Sequence, residues 1–414
     1  MVGIVLRRLG LLDEAAWNSK KALELDKNLV AAKMNIANVE FQKGDFKKAI
    51  KLLRIIVGEQ PSYQEAKANL ALAYKNIGYI EESINIYKDL EYRGSWAVAA
   101  RFNYGTTKVT IGCLKDGWRD YEYRWKVSPG NKIIWPFEGK PLWKGEREKH
   151  VVLWREQGIG DDIIFLSLVS EVRAMCSSLS VYVEPRLRSL CRRAMPEINF
   201  ITDKNSLEKE QCDYHLPLGS VPGLIRNDIR DFDRTVKGYF KADPDRVESL
   251  RNELQLGGKT VIGISWQSFK SLSQINKSVQ LRDMGRIFLG LDIVLINLQY
   301  GDVDDEIREF KEETGIEVLQ CSSVDNREDL DGLAALIEAC DIVVSTSNVT
   351  VHMAGALAKE TWVLLPYVVV NFWWLTKRPK SIWYPSLTLY RQPALDDWDS
   401  VYQSVRKDLI SKIL

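Results

Sequence analysis

Two rhythms of apolar and polar residues divide the chain. Over the first third, glycines recur every 34 residues, at Gly10, Gly44, Gly78 and Gly112. A small residue stands seven positions before each (Gly3, Ala37, Ala71, Gly105), and another five after each (Ala15, Ala49, Ser83, Gly117). This period predicts stacked pairs of helices, in which the glycine turns the chain and the small residues let neighbours pack closely. The second unit runs from Val30 to Tyr63, the third starts at Gln64 and the fourth at Val98. Phased this way the first begins before Met1, so the array is expected to be clipped at its start. From His150 the rhythm changes to short apolar runs alternating with helical patterns. Val151–Trp154, Leu179–Val183 and Ile198–Ile201 make one series, with a helix predicted over Asp162–Met175. Thr260–Trp266, Ile293–Leu298, Ile316–Leu319, Asp341–Ser345 and Trp362–Leu365 make a second. Such alternation predicts parallel sheets covered on both faces, here in two doubly wound domains that share a cleft.

The expected fold class is therefore α plus α/β: a tetratricopeptide (TPR) helical solenoid at the N-terminus, followed by two Rossmann-like domains. The solenoid is expected over 1–126 and a connector rich in Pro, Gly and charge over 127–148 (Ser128-Pro129-Gly130, Pro136, Pro141), with Trp135 and Trp143 packing it down. The Rossmann-like domains are expected over 149–240 and 241–394, and a C-terminal helix over 395–414.

Composition narrows the function. With 57 Lys and Arg against 56 Asp and Glu, the net charge is +1, which argues against a nucleic-acid or anionic-membrane partner. No run is long and apolar enough to span a membrane, and no charged-then-apolar leader opens the chain. The six cysteines (Cys113, Cys176, Cys191, Cys212, Cys321, Cys340) never fall at metal-ligand spacing and read as buried thiols of a reducing, cytoplasmic compartment. Three histidines, His150, His215 and His352, leave little with which to build a zinc site.

Three stretches carry candidate chemistry. Glu156-Gln157-Gly158-Ile159-Gly160-Asp161 follows a strand and opens a helix. Asp161 there either caps the helix or accepts a proton from an attacking hydroxyl. The stretch is neither a phosphate-binding P-loop nor a full dinucleotide fingerprint. Ser347-Asn348-Val349-Thr350-Val351-His352 also joins a strand to a helix of small residues, so that free amides at the helix start form an anion site. His352 either adds a hydrogen bond or is a satisfied core residue. Gly263-Ile264-Ser265-Trp266 empties into a polar loop ending at Lys277, which either neutralises a diphosphate or is a solvated loop cation. Two aromatic clusters, Asn371-Phe372-Trp373-Trp374 and Trp383-Tyr384-Pro385, either stack on a ligand or pack between the C-terminal helix and the sheet.

These motifs, taken in order with Asp116-Gly117-Trp118, Tyr121-Glu122-Tyr123-Arg124-Trp125, Pro141-Leu142-Trp143, Gln299-Tyr300-Gly301-Asp302, Asp329-Leu330-Asp331 and Arg391-Gln392, resemble the bacterial TPR-fused glycosyltransferases with a heptosyltransferase-like catalytic region. The chain is more distantly similar to the O-linked N-acetylglucosamine transferases. The resemblance covers nearly the whole chain and implies a GT-B fold. It implies an inverting reaction that moves a sugar from a nucleotide-diphosphate sugar to a protein or glycan hydroxyl, with no metal and no cofactor. Asp161 is then the base, with Glu156, Gln157, Gly158 and Gly160 in the acceptor-side loop. Ser265, Lys277, Gln299, Tyr300, Ser347, Asn348, Val349, Thr350 and His352 form the donor site, and Asp329 and Asp331 stand near its rim. The TPR groove captures the acceptor, and the end of the array is a place where a second copy can associate. Two departures stand out. Ala358-Lys359-Glu360 replaces the family's Gly-x-Pro, and Asn371-Phe372-Trp373-Trp374 replaces Asp-Trp-Arg-Trp, losing an arginine. That loss leaves a second reading open, a repeat scaffold with a degenerate sugar-nucleotide domain. A GT-B epimerase is a third, though such enzymes need no repeat array.

Overall fold

The computed structural model describes residues 1–127, 136–137, 139–234, 237–268, 277–368 and 371–413. Ser128-Pro129-Gly130 and Trp135 of the expected connector lie outside the described residues. Two compact units result: Met1–Ile133 with Tyr367–Thr376, and Ile134–Pro366 with Lys377–Leu414.

The first unit is built from helical pairs: Val2–Arg8 with Leu12–Leu25, Val30–Gln42 with Phe46–Glu59, Gln64–Asn76 with Ile80–Lys88, and Trp96–Thr110 with Leu114–Tyr121. Each recurring glycine ends the first helix of its pair with φ between 81 and 85°. Only glycine adopts this left-handed conformation without a steric penalty. The residue after it then donates its N–H to the carbonyl five positions back: Leu11 to Leu6, Asp45 to Glu40, Tyr79 to Tyr74 and Cys113 to Lys108, each at 3.0 Å. These bonds satisfy carbonyls that a helix end otherwise leaves orphaned. The small positions mark where helices touch. A Cβ on Gly105 would lie 2.6 Å from the Tyr121 nitrogen, and one on Gly117 2.9 Å from the Val109 nitrogen.

The late aromatic stretch belongs to this unit and does not pack between the C-terminal helix and the sheet. Trp373 stacks on Trp118 at 6.2 Å, Phe372 lies 5.4 Å from Tyr121, and the Thr376 N–H donates to the Thr110 carbonyl. Large aromatic faces find apolar partners on the last helical pair, which completes its core with residues distant in sequence.

The second unit holds two wholly parallel sheets. The smaller contains β1 (His150–Trp154), β2 (Ser178–Tyr182), β3 (Asn199–Ile201) and β4 (Tyr214–Pro217) in the order β3-β2-β1-β4. The larger contains β5 (Thr260–Ser265), β6 (Ile293–Asn297), β7 (Val318–Leu319), β8 (Ile342–Thr346), β9 (Thr361–Leu365) and β10 (Leu387–Arg391) in the order β10-β9-β8-β5-β6-β7. Both are doubly wound: the order reverses between β1 and β4 in one and between β5 and β8 in the other. Such reversals open crevices beyond the carboxyl ends of the strands. β4 and β10 were not anticipated, and the helix expected over Asp162–Met175 is two, Ile159–Leu166 and Val169–Arg173. The C-terminal helix Trp398–Ile413 is part of the larger domain, its Val401, Val405 and Leu409 buried with Ile262, Val344 and Leu364. Of the cysteines, Cys176, Cys191, Cys212 and Cys340 are buried thiols, whereas Cys113 is exposed and Cys321 intermediate. Among the described residues, no helix is long and apolar enough to cross a membrane.

Gly105→Ala is expected to destabilise the helical unit by about 1–3 kcal/mol, because the new methyl meets backbone that must move. Chemical denaturation followed by circular dichroism measures this, and an unchanged midpoint contradicts the close approach.

Candidate functional site

The loops after β1, β5 and β8 carry the three candidate stretches, each at a reversal of strand order. After β1 the chain turns at Gly158, the N-cap of helix Ile159–Leu166. Asp161 is therefore at the third helical position and not at the cap. Its Oδ2 nevertheless accepts the Gly158 N–H at 3.2 Å, so it closes the helix start while remaining partly exposed. The next residue has a different fate. Asp162 is buried, accepts from Arg155 Nε at 2.5 Å, and is raised to about 7 by burial against the opposing pull of Arg155. Arg155 also pairs with Glu184 at 2.8 Å. Of the two adjacent carboxyls, Asp162 is the structural anchor. Glu156 Oε1 accepts the Gly219 N–H at 3.1 Å, tying this loop to the turn after β4. Gln157 reaches the same carboxylate.

A second knot of polar side chains joins the ends of β5, β6 and β8. Gln299, 1% exposed, accepts with Oε1 from the Ser265 hydroxyl and from the Trp266 and Gln267 N–H groups, at 2.8–2.9 Å. Its Nε2 donates to the Tyr300 carbonyl. Asn348 donates from Nδ2 to Ser265 Oγ at 2.6 Å and to the Gln267 carbonyl at 3.1 Å, and accepts from Ser345 with Oδ1. Thr350 donates to the Leu298 carbonyl. Ser265, Gln299, Asn348 and Thr350 thus come together as expected, but their side chains hold one another. What they shape is the start of helix Val349–Ala356, whose first amides receive no side-chain cap because Asn348 points into the knot. Ser347 is fully buried at this turn, and Val349 and Tyr300 are partly exposed beside it.

The two helix starts meet. A Cβ on Gly160 would lie 3.1 Å from His352 Cδ2 and 3.6 Å from its Nε2, so the missing side chain makes room for the imidazole. His352 is 5% exposed, and burial, reinforced by Lys277, pushes it down to about 3, which makes the ring neutral at physiological pH. Burial lowers the Lys277 ammonium while the Asp161 carboxylate draws it back up. The same carboxylate adds to the burial that raises Tyr384. Asp161 thus lies within electrostatic reach of Lys277 and Tyr384, and Lys277 within reach of His352. Asp329 and Asp331 are taken up in ion pairs: Asp329 caps its helix at the Gly332 N–H and pairs with Arg246, and Asp331 takes both ends of Arg193 at 2.8 Å. His150 and His215 lie in the smaller sheet. Tyr239, whose hydroxyl donates to the Ile163 carbonyl at 2.6 Å, and Glu306, which accepts from Trp266 and Gln267, were not anticipated. No local sequence pattern marks either residue.

No protein-family model matches the chain. It is 26% identical over 418 residues to FlbA of Caulobacter vibrioides, covering 95% of this chain and 69% of that protein. Over 64% of its length it is similar to the E. coli ADP-heptose lps heptosyltransferase II, 98% of which is covered, with 13% identity and a TM-score of 0.45. Over 30% of its length it is similar to MamA of Desulfovibrio magneticus RS-1, 69% of which is covered, with 23% identity and a TM-score of 0.24.

Gln299→Leu removes the acceptor of one hydroxyl and two backbone N–H groups in a buried setting. Each such loss costs about 1–3 kcal/mol. The variant is expected to unfold at lower denaturant, and an unchanged midpoint speaks against the knot.

Proposed function

We propose that this chain is an inverting, metal-independent glycosyltransferase that moves a sugar from a nucleotide-diphosphate sugar to a hydroxyl of a protein or glycan. One observation carries the reading. A carboxylate from one lobe, Asp161, and a cation with an uncapped helix start from the other, Lys277 and Val349–Ala356, share one site at the reversals of both sheets. Displacement at an anomeric carbon with inversion needs a base on one side of the sugar and charge stabilisation on the other. Asp161 takes the proton of the attacking hydroxyl. Lys277 and the amides of Val349, Thr350 and Val351 neutralise the departing diphosphate, a role that requires no metal. The loop holding Glu156, Gln157, Gly158 and Gly160 borders the acceptor. Ser265, Gln299, Tyr300, Ser347 and Asn348 shape the donor side, mostly by holding backbone in place. The helical repeats recruit the acceptor, and the protein works in the cytoplasm, where nucleotide sugars are made.

Asp161→Asn keeps an oxygen for the Gly158 N–H and removes the charge. Transfer is expected to fall ~10²–10⁴-fold, while nucleoside diphosphates still raise the thermal midpoint. Transfer at the wild-type rate means the base is wrong. Diphosphate binding without turnover for any donor means the chain is a sugar-nucleotide-binding scaffold.

A further inference from the structure

The stretch that carries Lys277 is gathered at its base by a carboxylate. Glu306 lies in the first turn of helix Asp304–Thr314, 40 residues after Trp266 and 25 after Leu281. Its Oε2 accepts the Trp266 indole N–H and the Gln267 side-chain amide, both at 2.9 Å. Its Oε1 accepts the Leu281 backbone N–H at 3.0 Å. Leu281 opens helix Leu281–Gly285, so this N–H finds no carbonyl within its own helix. Two direct bonds run beside the carboxylate. The Val279 N–H donates to the Trp266 carbonyl at 3.0 Å, and the Ser268 N–H to Ser278 Oγ at 3.1 Å. Residues 266–268 and 277–281 are thereby drawn into one neck, and Lys277 stands on it next to Ser278.

The first side of the neck is fastened to the polar knot. Gln299 accepts the Trp266 and Gln267 backbone N–H groups, and Asn348 donates to the Gln267 carbonyl. The side that bears Lys277 is joined to the first through Glu306, the Trp266 carbonyl and Ser268. Val279 and Leu281 are buried in the same core as Trp266, which fixes the depth of the neck. Apolar burial is non-directional and does not fix how the two sides align. We propose that Glu306 is a positioning residue that sets the place of the Lys277 ammonium by holding both sides of this neck in register.

The task given to the ammonium rests on the sugar-transfer reading, whereas the hold of Glu306 on it does not. A cation stabilises a departing diphosphate best when it is in place beforehand. A lysine side chain is long and freely rotating, so the backbone that carries it must supply the order. A carboxylate suits the neck because all three of its partners are donors and both of its oxygens accept. An amide of the same shape offers one oxygen and an NH2 group that only donates. Glu306→Gln therefore leaves either the Trp266 and Gln267 donors or the Leu281 N–H facing another donor, and one side of the neck is released.

The test is the rate at which each lysine of the unliganded full chain is acylated, followed by peptide mass spectrometry. Lys277 is partly buried and is expected to react slowly. In Glu306→Gln its rate is expected to rise ~10-fold, while lysines elsewhere keep theirs. Trp266→Phe keeps a ring in the core and removes one of the three donors, and a smaller rise at Lys277 is expected. A carboxylate that served stability alone would lower the thermal midpoint and leave Lys277 unchanged well below it. That result in folded Glu306→Gln overturns the proposal, and if this variant does not fold, Trp266→Phe decides. Inorganic pyrophosphate separates the two readings. Where the diphosphate site is as proposed, it shields Lys277 in the wild type and shields it less in Glu306→Gln. No shielding in the wild type counts against sugar transfer, and the rates without pyrophosphate still decide the role of Glu306.

Discussion

At Gly160 the beginning of one helix comes within contact of an imidazole on another, and the chemistry of two lobes meets because no side chain stands between them. Everything else in the site answers to this approach. The Asp161 carboxylate follows directly after Gly160 and so lies on the contacting turn. Burial in the same place leaves His352 neutral. A residue chosen for its lack of a side chain thereby sets the electrostatics of those around it.

Several polar residues of the site hold one another rather than standing free for a ligand. Gln299, Ser265 and Asn348 satisfy one another and the backbone of the loop after β5, which removes their freedom before any ligand arrives. Asp162 does the same on the other side by locking onto Arg155. Among the described residues, Asp161 and Lys277 stay partly exposed near the buried His352 and the start of helix Val349–Ala356. Preorganisation of this kind puts the cost of ordering these side chains into folding.

Much of this was legible in the chain itself. The glycines at 34-residue intervals could be read because each does one local job, a left-handed turn that closes a helix end. Most of the strands that were found lie in short apolar runs. β4, Tyr214–Pro217, ends in a proline, and β10, Leu387–Arg391, alternates with polar residues beside a tryptophan-rich stretch, so neither stood out. The three stretches were read as turns that follow strands, which they are, but the pairing of side chains within them was not readable. Ser265 meets Gln299 and Asn348 across separations of 34 and 83 residues, and nothing local says that their side chains face each other. The ion pairs of Asp329 and Asp331 were not readable because their partners Arg246 and Arg193 lie far back in the chain. Tyr239 was invisible for the same reason.

The segment Tyr367–Thr376 belongs to the helical unit although β9 before it and β10 after it belong to the other. The backbone therefore leaves the sheet-bearing unit and returns to it to deliver Phe372 and Trp373 to Trp118. During vectorial synthesis the last helical pair emerges long before those rings exist. Its apolar flank waits uncovered until the ribosome has passed residue 376, so the repeats reach their final stability only after most of the other unit has been made. No single proteolytic nick separates the two as intact pieces.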